Sequence, residues 1–185
     1  MGILELLGIG RNENRLERRV AVGSGDTETV RRIVRKLEAL EPPRARFLAA
    51  FAYILSRVAC ADSHVSHNET ATMREIVQKL GHLPKRQTAL VVEIADSQAR
   101  LFGGTEDYLV TREFRQVATD KQRLELLDCL FAVAAADGAI STIEESRTGQ
   151  IAKELGFTQP EYASALKMHA EHRVVLGLLR AKQKP

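Results

Sequence analysis

Residues 55–81 read LSRVACADSHVSHNETATMREIVQKLG, and residues 130–156 read LFAVAAADGAISTIEESRTGQIAKELG. Displaced by 75 residues, the slightly longer stretches 51–81 and 126–156 align without a gap and share ten identities in 31 positions. Each stretch has an apolar segment, a short polar loop and a second segment that ends in Leu-Gly. Shared helix composition alone would not keep both loops in register. The alignment therefore predicts two equivalent helix–loop–helix units, packed about a pseudo-twofold axis.

The remainder of the chain has the same helical character. Apolar residues recur at three- and four-residue spacing between Val30 and Leu40, as on one face of a helix. Pro42-Pro43 then opens a segment that is apolar almost all round, which is typical of a central helix. Thr158 to Glu161 has the spacing of a capping box. No stretch alternates with period two for long enough to predict a strand, so we expect an all-α bundle of seven or eight helices.

The first 25 residues differ in character from the rest of the chain. The apolar segment Ile3 to Ile9 precedes a polar stretch and the Gly-Ser-Gly break at 23–25. We predict a flexible N-terminal arm over residues 1–25 and one helical domain over residues 26–185, with repeat units at about 51–81 and 126–156. The apolar segment of the arm is expected to dock on a partner, on a membrane surface or on a groove of the protein itself.

Composition excludes several classes of protein. Hydrophobic residues make up 44% and charged residues 28% of the chain, which is ordinary globular composition. Cys60 and Cys129 lie in apolar stretches and are expected to be buried, reduced thiols. The sequence has no run long enough for a membrane-spanning helix and no signal peptide pattern. These features predict a cytoplasmic protein, with the inner face of the membrane as an alternative location.

Each predicted loop contains the motif Ala-Asp-x-x-[Val/Ile]-Ser-x-x-Glu, at residues 61–69 and 136–144. The Ser and the Glu have capping-box spacing, which is a sufficient structural reason for both. The Asp is harder to explain, because Asp62 and Asp137 follow apolar helices whose terminal carbonyls already make the potential negative. Each carboxylate could accept hydrogen bonds from turn N–H groups, or it could bind a cation.

The second loop matches the latter half of an EF-hand loop, with an Asp, a Gly, an aliphatic residue and a terminal Glu at the proper spacing. Val133 and Ala135 occupy the positions of the first two carboxylates. A complete EF-hand is therefore excluded. Any divalent ion would need carboxylate ligands from both loops, across the pseudo-twofold axis. His64 and His67 could add nitrogen ligands and favour zinc over calcium; the alternative is that they are two exposed loop histidines.

These paired loops, each between an Ala-rich apolar helix and a helix that ends in Leu-Gly, resemble the TerB-like tellurite-resistance family. The resemblance covers roughly residues 45–172. It implies an all-α domain with an acidic cation site, acting in stress-response or metal-linked assemblies near the inner membrane, and it implies no established catalytic activity. The site residues that it implies are Asp62, Glu69, Asp137 and Glu144. The first loop departs from the pattern, with Ser63 in place of Gly.

We interpret the chain as a non-enzymatic helical module that senses or buffers a divalent cation, calcium or zinc, and docks an unidentified protein partner. One alternative is a structural interaction domain whose acidic loops only cap helices. Another is an adaptor for a membrane or a nucleic acid that uses the basic residues between Arg31 and Arg46. Peripheral membrane association would use residues 1–10. No nucleic acid is expected as a partner, because no aromatic side chains interleave the basic residues.

Overall fold

The computed structural model describes residues 24–59, 67–101, 107–136, 140 and 142–182. Within these residues the chain forms eight α-helices and no strand, which confirms the predicted all-α class and the predicted helix number. The helices are α1 (Ser24–Glu38), α2 (Pro42–Ala59), α3 (His67–Lys79), α4 (Lys85–Leu101), α5 (Asp107–Val117), α6 (Asp120–Ala134), α7 (Thr142–Glu154) and α8 (Gln159–Lys182). The predicted arm, residues 1–25, lies almost wholly outside the described residues.

Helix α2 is the centre of the core, as its sequence predicts. Twelve of its residues are buried, and it packs against α1, α4, α5, α6 and α7. Its alanines let neighbouring helices approach closely, while Phe47 and Phe51 supply volume. Both rings contact Phe114 of α5, with ring centroids 5.2 and 6.1 Å away. Burial of these aromatic side chains on one helix stabilises the whole bundle, because each helix that covers α2 removes apolar surface from water.

Two capping boxes begin helices in the second half of the chain. The box predicted ahead of α8 is present: the Thr158 N–H donates to the Glu161 carboxylate at 2.7 Å, and the Glu161 N–H donates back to the Thr158 hydroxyl. The backbone hydrogen bond from Thr158 lowers the pKa of Glu161. A second box, between Thr119 and Gln122, begins α6. Its Thr-x-x-Gln spacing is an equally valid sequence signal for the start of a helix.

The helices α3 and α7 are each followed by Leu-Gly, but the backbone leaves the two helices in different conformations. Gly156 follows α7 with a φ of +92°, and the Phe157 N–H donates to the Ala152 carbonyl, which is the Schellman arrangement. After α3, Gly81 still donates to the carbonyl four residues back, and the left-handed residue is His82, with a φ of +49°. Gly81 therefore serves close packing: a Cβ there would lie 3.2 Å from the Phe51 ring.

Burial also settles the state of one cysteine. Cys129 is a buried free thiol on α6, which confirms the prediction for this residue; Cys60 lies outside the described residues. Burial raises the pKa of the Cys129 thiol, and the nearby carboxylates of Asp128 and Glu125 raise it further. The thiolate form that reacts and binds metals is thus suppressed. Cys129 is a packing residue.

Candidate functional site

The six predicted ligands are unequally described. Asp62, His64 and Asp137 lie outside the described residues. His67 and Glu69 are in the first turn of α3, but their side chains lie outside the described part of the chain. Only Glu144 is described in full: it lies in the first turn of α7, is partly buried and has an interaction partner within the chain. Among the described side chains, no group of three His, Cys, Asp or Glu residues could hold a metal ion. The predicted ligand set therefore stays a prediction.

The helices around the two loops repeat with the spacing of the sequence alignment. Helix α2 ends at Ala59 and α6 ends at Ala134; α3 spans His67–Lys79 and α7 spans Thr142–Glu154. Each of these three boundaries recurs after 75 residues. Each loop therefore leaves one helix and enters the next at equivalent positions, which is what the predicted duplication requires. The superposition of the two units in space stays a prediction.

Side-chain contacts fix how these helices are arranged. Arg57, near the end of α2, binds Glu154 at the end of α7, with 2.8 Å between Nη1 and Oε2. Arg123, near the start of α6, donates to the Leu155 carbonyl at 2.7 Å. The end of α2 and the start of α6 therefore meet at one end of α7.

The contact between Arg57 and Glu154 also shows where the end of α2 lies along α7. The second loop precedes Thr142, and Glu154 lies twelve residues further along α7, which corresponds to about 18 Å of helix. The end of α2, which precedes the first loop, therefore lies near the opposite end of α7 from Thr142, which follows the second loop. The pooling of carboxylates from both loops at one cation stays a prediction.

The comparison with known families agrees with the fold and the loop frame. A family model described as tellurite resistance protein TerB matches residues 47–167, which is more than half of the chain. The chain belongs to the TerB family. Neither a curated protein nor a solved structure gives a significant match. The match begins within α2 and ends in the first half of α8, so it contains both acidic motifs, α3, α6 and α7.

The ion pair between Arg57 and Glu154, at the end of α7, is largely enclosed within this TerB domain. The side chains of Arg57 and Glu154 are only 12% and 9% exposed. Arg57 also donates to the Thr111 hydroxyl at 2.8 Å, and Gln150 donates to Glu154 at 3.0 Å. Burial alone would raise the pKa of Glu154, but the hydrogen bond and positive charge of Arg57 outweigh burial and lower it. The network joins α2, α5 and α7.

Five of the six basic residues between Arg31 and Arg46 contact other side chains of the chain. Arg32 and Lys36 of α1 both bind Glu93 of α4, at 2.7 and 2.6 Å. Burial opposes ionisation of Glu93, but these two cations lower its pKa. Arg35 of α1 binds Glu28 of the same helix at 3.4 Å. On α2, Arg44 lies over the Phe47 ring and Arg46 binds Glu113. The adaptor that uses these basic residues stays a prediction.

An open cleft lies between α7 and the start of α8, with a volume of about 720 Å³. One wall is a stripe of α7 side chains at three- and four-residue spacing, and Tyr162 of α8 lies across from it. The Tyr162 hydroxyl donates to the Glu145 carbonyl at 3.3 Å and so holds α8 against α7. Sequence reasoning missed this cleft, because its lining residues belong to no motif that it recognised.

None of the helices in the described part of the TerB domain combines the length and the apolar character that a membrane crossing requires.

Proposed function

We propose that this TerB-family chain is a non-enzymatic module that binds a divalent cation at its acidic loops and serves in the response to metal or tellurite stress. The observation that carries the proposal is the position of Glu144 at the start of α7. In an EF-hand the terminal Glu follows the Asp of position 5 by seven residues. Glu144 follows Asp137 by the same seven residues, and Asp137 follows the end of α6 at Ala134 by three.

The second loop is the stronger candidate of the two. It has the Gly that the sharp turn of an EF-hand loop requires, whereas the first loop has Ser63 at that position. The first loop adds His64 and His67, so any ion that it binds would have more nitrogen donors, which favours zinc. We propose calcium at the second loop and zinc at the first, so that each ion would use the residues of one loop.

Affinity for calcium should be weak, because half of the usual oxygen ligands are missing. We expect a dissociation constant on the order of 10⁻⁵–10⁻³ M. Ligand at 100 times its dissociation constant stabilises the folded state by about 2.7 kcal/mol. For a chain of 185 residues, this corresponds to a rise in melting temperature of roughly 5–10 °C. Differential scanning fluorimetry of the chelator-treated chain with increasing calcium, and separately with zinc, measures this shift.

Variants in which one carboxylate is replaced by the corresponding carboxamide show which residue the calcium-induced shift in melting temperature depends on. Asp137→Asn should abolish the shift caused by calcium with little change in the melting temperature of the metal-free protein. Glu75→Gln is the matched control, because Glu75 is an exposed carboxylate of α3 that pairs with Lys79 in the next turn and belongs to neither acidic motif. The control should keep the full shift. If no divalent ion binds below millimolar concentration, the carboxylates are turn and cap residues, and the chain functions as an interaction domain.

A further inference from the structure

Thr148 of α7 differs from the other polar residues of the core. Four polar side chains are buried in the described part of the chain, and three of them form hydrogen bonds, namely Ser56, Thr88 and Thr111. The fourth, Thr148, is 1% exposed, and its hydroxyl has no hydrogen-bond partner among the described residues. A buried hydroxyl that is left unsatisfied destabilises the folded state, so its presence calls for an explanation other than packing.

The sequence repeat indicates that packing does not require a hydroxyl at this position. Thr148 follows Met73 by 75 residues, and Met73 is also buried, at 4% exposure on α3. Both side chains therefore lie on the core-facing side of the second helix of their unit, and in the first unit an apolar side chain fills that place. The hydroxyl belongs to the second unit, whose loop has Gly138 and the closer match to an EF-hand.

The Glu144 carboxylate is the side-chain acceptor that this face of α7 offers to the hydroxyl. Glu144 precedes Thr148 by four residues, so the two side chains share one face about 6 Å apart along the helix. Helical side chains lean toward the N-terminus of their helix, and Thr148 therefore leans toward the turn of Glu144. In the other direction the face continues with the buried, apolar Ile151 and Ala152.

We propose that Thr148 is a positioning residue for Glu144: its hydroxyl donates a hydrogen bond to the Glu144 carboxylate when that carboxylate binds the cation. The inference rests on the proposed function of the second loop. A hydrogen bond from the stiff, β-branched threonine side chain would hold the flexible glutamate in one rotamer, and such bonds raise the metal affinity of carboxylate ligands. The hydroxyl is unsatisfied before the cation binds and satisfied afterwards. Its removal should therefore stabilise the cation-free chain and weaken cation binding.

The test compares Thr148→Val with the wild type in two measurements on the full chain. Valine has nearly the shape and the helix propensity of threonine but has no hydroxyl. The melting temperature of the chelator-treated chain should rise by roughly 2–6 °C, because no unsatisfied hydroxyl remains in the core. The calcium dissociation constant, measured from amide chemical shifts during a calcium titration, should rise by roughly 10–100-fold. A loss of packing would not produce these two opposite effects.

Two further variants complete the experiment. Thr148→Ser keeps the hydroxyl and should retain most of the calcium affinity. Thr88→Val removes a buried hydroxyl that donates to the Leu83 carbonyl at 3.1 Å, so it should lower the melting temperature and leave the calcium affinity unchanged.

Three outcomes would overturn the inference. Equal calcium affinity in Thr148→Val and in the wild type would do so while leaving the proposed function intact. A lower melting temperature of chelator-treated Thr148→Val would also do so, because the hydroxyl would then be bonded before the cation binds. A wild-type chain that binds no calcium would overturn both the inference and the proposed function.

Discussion

Replacing Arg57 by methionine would leave the Glu154 carboxylate enclosed without its cation. The two side chains are about a tenth exposed and 2.8 Å apart, so water cannot take the place of the guanidinium. Removing one partner of a buried ion pair costs about 3–5 kcal/mol. We expect the lower end of that range, about 3 kcal/mol, because Gln150 still donates to Glu154. The melting temperature should then fall by roughly 6–12 °C.

The dependence on pH gives this prediction a second test. The pKa of Glu154 lies below its ordinary value of 4.5 in the folded chain. A carboxyl group of this kind contributes stability that is present above its unfolded pKa and is lost as pH falls through its folded pKa. The difference in stability between the wild type and Arg57→Met should therefore be full at pH 7 and should shrink below about pH 4.5.

Urea unfolding followed by circular dichroism, at pH 7 and again at pH 3.5, measures both effects. Lys79→Met is the matched control: Lys79 precedes Glu154 by 75 residues, but its pair with Glu75 is about 70% exposed, so we expect a change within about 0.5 kcal/mol. Arg57→Met combined with Glu154→Leu should recover most of the lost stability, because no unpaired charge remains. A loss below about 0.5 kcal/mol in Arg57→Met, or a loss that persists undiminished at pH 3.5, would refute the reasoning.

Three further variants probe the ends of α3 and α7, all by thermal or urea unfolding. Gly81→Ala should destabilise by about 1–3 kcal/mol, because its Cβ would lie 2.7 Å from the Val77 carbonyl and 3.2 Å from the Phe51 ring; an unchanged midpoint would show that α2 and α3 have room to separate. Gly156→Ala should cost about 1–2 kcal/mol through its positive φ. His82→Gly should stabilise by up to about 1 kcal/mol, since it relieves a left-handed non-glycine residue; a loss of stability would mean that the histidine side chain makes a compensating contact.

Much of the fold follows from local sequence signals. Apolar spacing and helix breakers are local, so the sequence predicts the eight helices and the central position of α2. The shared Leu-Gly ending shows where local reasoning stops. The same dipeptide ends two helices, yet the left-handed residue is Gly156 in one case and His82 in the other. What distinguishes them is a tertiary contact, the approach of Phe51 to Gly81, which the alignment of the repeats cannot show.

The same limit applies to the functional residues. The acidic motif is predicted from its recurrence, because spacing within a loop is a local property. The ion pair between Arg57 and Glu154 joins residues 97 positions apart, and its equivalents in the other repeat unit are Ala132 and Lys79. The ion pair therefore cannot be predicted from the repeat or from the spacing of residues within one segment.

The central proposal, a cation at the second acidic loop, is tested most directly by paramagnetic broadening in the ¹H–¹⁵N spectrum of the intact chain. Manganese(II) binds to the same hard oxygen ligands as calcium and selectively broadens nearby amide signals. We predict that substoichiometric manganese broadens the amide signals around Ile140, Thr142 and Glu144 first, that excess calcium restores them, and that Asp137→Asn removes the effect. Broadening that is absent, or that is uniform over the surface and unaffected by Asp137→Asn, would contradict the proposal.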